Sequence, residues 1–256
     1  MIMTNKQTER DCVYEFEIDV QHLNENKAMK FSAYQNLFAR LAERHLAEYD
    51  ANFDETIRHG MAWAIVSLSI EVKKPIDGCF RLYGSTWYSQ RKGPYFRREL
   101  VFRDAAGNIR FHGTTHSVLL DIESRGVYRK KELPFPLTTP IEEFTIEASP
   151  HFRKEITFEE VEQRRVRGSY LDCLGHVNNC RYGDFAYDAL SDEQRQKTAQ
   201  LKRMDLFFIA ELRDRDLFTV KRSLPGGQLN KHQLCFQGFN DTREETSFLI
   251  LLDFFQ

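Results

Sequence analysis

Cysteine is scarce and unpaired in this sequence: Cys12, Cys79, Cys173, Cys180 and Cys235 make an odd set with no C-x-x-C pair. Such a set disfavours a disulfide framework and a zinc site and suits a reducing compartment, so a cytoplasmic location is expected. Glycine (13) and proline (7) are too few for a collagen-like or low-complexity chain. Long apolar runs are missing as well. The windows Met61 to Ile70 and Phe248 to Phe255 are too short or too interrupted to cross a bilayer. The start MIMTNKQTERD is polar from its fourth residue, which predicts no secretory leader. Net charge is only -2, from 36 Lys+Arg against 38 Asp+Glu, so nothing draws the whole chain to nucleic acid or an anionic membrane. No H-E-x-x-H, Walker or G-x-G-x-x-G pattern occurs, which leaves a metalloprotease, a nucleotide hydrolase and a dinucleotide enzyme without support; no cofactor is required.

What is present is a globular composition, 41% hydrophobic and 29% charged over 256 residues, enough for one large or two modest domains. Cys12, Tyr14, Phe16, Ile18 and Val20 alternate with Glu15, Glu17 and Asp19, the pattern of a half-buried strand. From Ala28 to about Tyr49 the period lengthens: Phe31, Tyr34, Phe38, Leu41, His45 and Tyr49 fall on one helical face. Strands are predicted near Trp63 to Val72, Phe80 to Ser89, Tyr95 to Arg103 and Ile109 to Asp121, with Asp77-Gly78, Lys92-Gly93-Pro94 and Asp104 to Asn108 between them.

Residues 131–155 hold Pro134, Pro136 and Pro140 and read as a linker, because each proline removes a backbone donor. The order then repeats. A strand ending near Leu171 leads to a helix from about Asn178 carrying Tyr182, Phe185, Ala186, Ala189 and Leu190 on one face. Strands follow at Met204 to Glu211, Leu217 to Leu224, Leu229 to Gly238 and Thr246 to Phe255, separated by Arg213 to Asp216, Pro225-Gly226-Gly227 and Asn240-Asp241. The periodicity predicts an α+β fold in which one unit occurs twice.

The chemistry concentrates in Tyr170 to Tyr182, YLDCLGHVNNCRY, where Asp172, His176, Asn178 and Asn179 crowd a strand-to-helix junction. The first N–H groups of a helix lack internal partners and carry the positive end of its dipole, so they suit a developing oxyanion. Asn178 also reads as a helix N-cap.

At this window the chain resembles the acyl-acyl carrier protein thioesterases, in which an acid, an Asn and a His run into H-V-N-N-x-x-Y. Here these positions are Asp172, Leu174 and His176, then His176-Val177-Asn178-Asn179 to Tyr182. The resemblance extends to Glu211 in DLFFIAELRDRD, and over the first half to VKKPIDGCFRLYGSTW, RREL, VFRDAAGNIR and HSVLLDIESRGVYR. It implies two tandem hotdog units, each a long helix wrapped by a mostly antiparallel sheet: 1–130 shaping the acyl pocket, the linker 131–155, and 156–256 carrying catalysis. It implies hydrolysis of a fatty acyl thioester on the phosphopantetheine arm of acyl carrier protein, in fatty acid biosynthesis. Asp172, His176 and Glu211 are then the catalytic candidates, with Glu211 as the water-activating base. Asn178, Asn179 and the amides from Val177 to Asn179 position the substrate and its oxyanion. The sequence departs from the family at Leu174, where an Asn is usual, and at Leu212, where some members carry Cys; the latter favours general-base chemistry over a cysteine nucleophile.

Alternatives differ in substrate or class: an acyl-coenzyme A thioesterase, a non-hydrolytic acyl-binding protein motivated by Leu174, or a hotdog dehydratase. Cys173 and Cys180 are expected to pack as small hydrophobes. His112 and His116 alternate along a strand, where a separation of four residues spans roughly 13 Å and does not suit one metal ion. The clusters Arg91-Lys92, Arg97-Arg98, Arg129 to Lys131, Arg164-Arg165 with Arg167, and Lys202-Arg203 are solvated faces or, together, a dock for an acidic carrier protein. Two units in one chain already supply the pairing of a hotdog dimer, so monomer and homodimer are both expected states.

Overall fold

A computed structural model describes residues 11–124, 126–225 and 228–255. The start of the chain, and Gly226-Gly227 of the predicted separator, lie outside the described residues. In the first half β1 (Tyr14–Ile18) precedes α1 (Phe31–Ala47) and the short α2 (Phe53–Arg58). Then come β2 (Met61–Val72), β3 (Phe80–Lys92), β4 (Tyr95–Arg103), β5 (Ile109–Asp121) and the two-residue β6 (Gly126–Val127). The second half runs β7 (Phe158–Arg165), α3 (Tyr182–Asp188), α4 (Asp192–Gln196), β8 (Leu201–Phe208), β9 (Leu217–Ser223), β10 (Gln233–Asn240) and β11 (Glu245–Phe254).

All the strands join one antiparallel sheet in the order β1-β3-β4-β5-β2-β8-β11-β10-β9-β7, with β6 on β5. The halves meet where β2 pairs β8, with Ser69 opposite Asp205. Alternation makes the strands two-faced, and the inner faces close on the helices. Phe31, Tyr34, Leu37, Phe38 and Leu41 of α1 are buried with Phe102 and Phe111 of the first half and Phe185, Phe218 and Phe248 of the second. A helix on a curved antiparallel sheet, twice over, is the double hotdog.

The junction loops repeat bond for bond. Asn24 N–H donates to Ala28 O at 2.8 Å, as Asp172 N–H does to His176 O at 2.8 Å. Met29 N–H donates to Ile76 O and Val177 N–H to Leu212 O. The left-handed turn falls on Lys27 (φ 60°) in the first loop and on Gly175 (φ 79°), where no Cβ opposes it, in the second.

Three expectations change, and the proline-rich segment gains detail. The first strand ends at Ile18, because Asp19 caps a 3₁₀ turn over Val20–His22 and leaves Val20 exposed. The strand before the motif ends at Arg165. The second helix is short, 7 residues against 17 in α1, and begins as a 3₁₀ turn over Asn179–Arg181. Its Gly183 lies against α1 so closely that a Cβ would sit 2.3 Å from Gln35 Oε1 and 2.9 Å from Ser32 N. Segment 131–155 has neither helix nor strand, yet it is no free tether: Phe135 and Ile146 are buried, and Thr145 donates to buried Glu99 from both its N–H (2.9 Å) and its hydroxyl (2.6 Å).

Candidate active site

The loop after β7 is an Asx turn. Asp172 Oδ1 accepts from Leu174 N–H (2.9 Å) and His176 N–H (3.2 Å), which fixes the backbone from which the imidazole projects. His176 then pairs as an isolated antiparallel bridge with Arg213, and this brings the loop beside the chain leaving β8. Paired residues in such a bridge share a face, as do residues two apart on an extended chain. His176, Arg213 and Glu211 therefore converge: His176 Nε2 lies 3.1 Å from Glu211 Oε2, and Arg213 Nη2 lies 3.0 Å from the same oxygen. Glu211 stands past the end of β8, in the loop, and not on the strand as predicted. All three side chains are partly open to solvent (30%, 47% and 44% for His176, Arg213 and Glu211).

Tyr182, the tyrosine of the motif, is buried behind them. Burial raises its phenol well above the usual range; a backbone hydrogen bond at Leu212 opposes this, and the carboxylates of Glu211 and Asp172 add to it. Asp172 and Glu211 thus act on a common neighbour.

The predicted oxyanion amides are partly spent. Val177 N–H donates to Leu212 O (2.9 Å) and Asn178 N–H to Tyr170 O (2.8 Å), because the bridges that build the loop consume them. Asn178 acts as a cap, its Oδ1 accepting from Cys180 N–H at 2.9 Å. Asn179 remains, its N–H without an acceptor among the described residues and its carbonyl held by Gln35 Nε2 at 2.5 Å. Gln35 also accepts from Gly183 N–H (2.9 Å), so one buried amide of α1 ties down the whole motif corner.

Asn179, Cys180 and Phe208 line one part of a cavity of about 250 Å³. Most of the rest of its wall belongs to the first half, including Phe38, Ala39, Ala42 and Leu46 of α1, Trp63 and Leu68 of β2 and Phe96 of β4, and Leu137 of segment 131–155 joins them. In the second half Phe185, Phe218 and Phe248 are packed in the buried core. Leu174 is 46% exposed and is not part of the cavity wall. Cys173 is exposed, contrary to the packing expectation, whereas Cys180 follows it and burial pushes its thiol up to about 11, away from the reactive thiolate.

His112 and His116 lie on one buried face of β5, where His112 is 3.7 Å from Glu71 and His116 bonds Ser67 Oγ at 3.0 Å. Among the described residues no group of His, Cys, Asp and Glu could hold a metal ion, and no helix is long and apolar enough to cross a membrane. Several basic clusters turn inward or pair: Arg97 with Glu99, Arg164 with Glu162 and Asp188, Arg203 with Asp205. Sequence reading missed Arg213 and Gln35. The first had a signal, since it stands two residues after Glu211 on an extended stretch; the second is a polar residue inside an apolar helical face.

Two family descriptions match this chain: acyl-ACP thioesterase N-terminal domain over residues 11–132 and acyl-ACP thioesterase C-terminal domain over 153–247. No curated protein matches it in sequence. Among solved structures it is similar to an acyl-ACP thioesterase from Bacteroides thetaiotaomicron (16% identity, TM-score 0.82, 97% of this chain and 100% of that one). It is also similar to a putative oleoyl thioesterase from Lactobacillus plantarum (17%, 0.78, 96% and 97%). A third is the 12:0-ACP thioesterase from Umbellularia californica (13%, 0.70, 95% and 97%). At these identities the likeness is one of fold.

Proposed function

The chain belongs to the acyl-ACP thioesterase family, and from that premise we propose that it hydrolyses fatty acyl thioesters of acyl carrier protein to free fatty acid and carrier protein. The observation that carries this reading is the 3.1 Å contact of His176 Nε2 with Glu211 Oε2, with Asn179 and Cys180 of the same motif lining an apolar cavity large enough for an acyl chain. The first unit holds the chain, the second does the chemistry, and 131–155 connects and covers them.

The reaction needs few groups. Glu211 takes a proton from the attacking water as its oxygen bonds the thioester carbon. The carbonyl electrons move onto oxygen, where the Asn179 N–H is the available backbone donor; one well-aimed donor of this kind is worth about 10²- to 10³-fold in rate. Collapse of the tetrahedral intermediate breaks the C–S bond, and the departing thiolate receives its proton from His176, which Glu211 then restores. Asp172 holds the loop that aims His176. Arg213 fixes the Glu211 carboxylate, a tether in a site whose family-typical amide is replaced by Leu174.

The test is kcat/KM for one acyl chain carried in turn by acyl carrier protein and by coenzyme A. Higher values on the carrier protein, falling with added salt, support this reading. Equal or higher values on coenzyme A move the substrate to acyl-CoA, and acyl retention without thiol release makes the protein an acyl binder.

A further inference from the structure

The two halves fill equivalent space differently. Ile76 and Leu212 accept equivalent amides, and counting the same distance back along β2 and β8 leads to Leu68 and Met204. Opposite them stand Thr115 on β5 and Leu252 on β11. The next inward positions are Ser117 and Phe254. The second half thus buries a leucine and a phenylalanine in its core, where the first half puts two hydroxyls on a cavity wall.

Neither hydroxyl has a hydrogen-bond partner among the described residues, although Thr115 is only 6% exposed. Both line the cavity, so each hydroxyl stays open to a bond from a molecule inside it. Facing Thr115 across the β4–β5 ladder is Arg98, which also lines the cavity and lies 3.2 Å from His45 Nδ1. A wall meant only for hydrocarbon has no use for these groups; one meant for an oxygen inside a hydrocarbon chain does.

The size sets the rest. From Gln35 to Leu46 the cavity follows α1 for about 16 Å at ~1.5 Å per residue, and an extended chain advances about 1.2 Å per bond. A 150 Å³ apolar cavity accepts benzene, so 250 Å³ takes on the order of ten carbons. We propose that this cavity binds a medium-length acyl chain bearing a hydroxyl group along its length, which accepts from Thr115 or Arg98 and donates to Ser117. This rests on the thioesterase reading for its turnover but not for its binding.

The experiment compares plain chains with chains of equal length hydroxylated at successive carbons, first as carrier-protein thioesters and then as free acids by titration calorimetry. One hydroxylated position is expected to exceed the plain chain by about tenfold or more in kcat/KM and in affinity. Thr115→Val, which keeps the shape and removes the hydroxyl, should bring that ratio toward unity, and Thr115→Ser should retain it. Plain chains that match or beat every hydroxylated one, or a ratio that Thr115→Val leaves intact, overturn the proposal. Absence of thiol release with the binding preference intact would defeat the thioesterase reading alone.

Discussion

Asn24 and Asp172 occupy the same place in two loops with the same hydrogen bonds, each accepting from the N–H groups two and four residues ahead. They differ by an amide nitrogen in place of a carboxylate oxygen. Around Asp172 stand His176 and Glu211; the matching positions around Asn24 are Ala28 and Pro75. The first loop is closed as well as stripped, since Asn24 Nδ2 donates to Thr198 Oγ1 at 3.0 Å from the segment after α4. The fold therefore keeps one scaffold twice, and the Asp172, His176 and Glu211 set once.

Asp172→Asn is a substitution that the first loop already carries. It should leave the melting temperature unchanged while lowering kcat on the order of tenfold, equivalent to about 1.4 kcal/mol of lost charge interaction with the site. Asp172→Ala removes both accepting bonds and should in addition lower stability by about 1 kcal/mol. Thermal melts alongside steady-state kinetics check both outcomes.

In the proposed mechanism Arg213 acts through Glu211, which it contacts at 3.0 Å. Arg213→Ala should reduce kcat several-fold with KM little changed, and Arg213→Lys should recover part of the loss, because an ammonium can reach one oxygen but lacks the guanidinium fork. Both residues of the pair are nearly half exposed (47% and 44%), so folding stability should change by less than about 1 kcal/mol. A rise in KM at constant kcat would instead assign Arg213 to substrate binding.

Much of this was legible in the sequence, and the misses have physical causes. The apolar period of three and four along α1 and the alternation of β4 and β5 read correctly because tertiary packing follows those faces. Glu211 read as part of a strand because Phe208, Ala210 and Leu212 continue the alternation; β8 nevertheless ends at Phe208, and Leu212 turns in to accept from Val177. The oxyanion amides were overcounted because a helix start predicts free N–H groups, whereas the Leu212 carbonyl takes up Val177 and the Tyr170 carbonyl of the same loop takes up Asn178. Segment 131–155 read as a linker from its prolines, and only tertiary contacts reveal that it buries Glu99.

Stability should fall with acid through His116. Burial chiefly, helped by Arg97 and His151 and opposed by Glu99, lowers its imidazole to about 4. The unfolded chain takes up that proton near pH 6.5. Between these values the unfolded state binds more protons, so the contribution is complete at neutral pH and is lost as pH falls from about 6.5 to about 4, on the order of 3 kcal/mol in total. Urea unfolding of His116→Asn should show a shallower pH dependence across that window than the unaltered protein.

The contact between His176 and Glu211 is tested most directly by thiol release from acyl-acyl carrier protein, followed for the unaltered chain, His176→Ala and Glu211→Gln at matched folded concentration. The account predicts steady release by the first and a loss of about 10²-fold or more in kcat for each variant, with melting temperatures preserved. Release by both variants at the unaltered rate would contradict it.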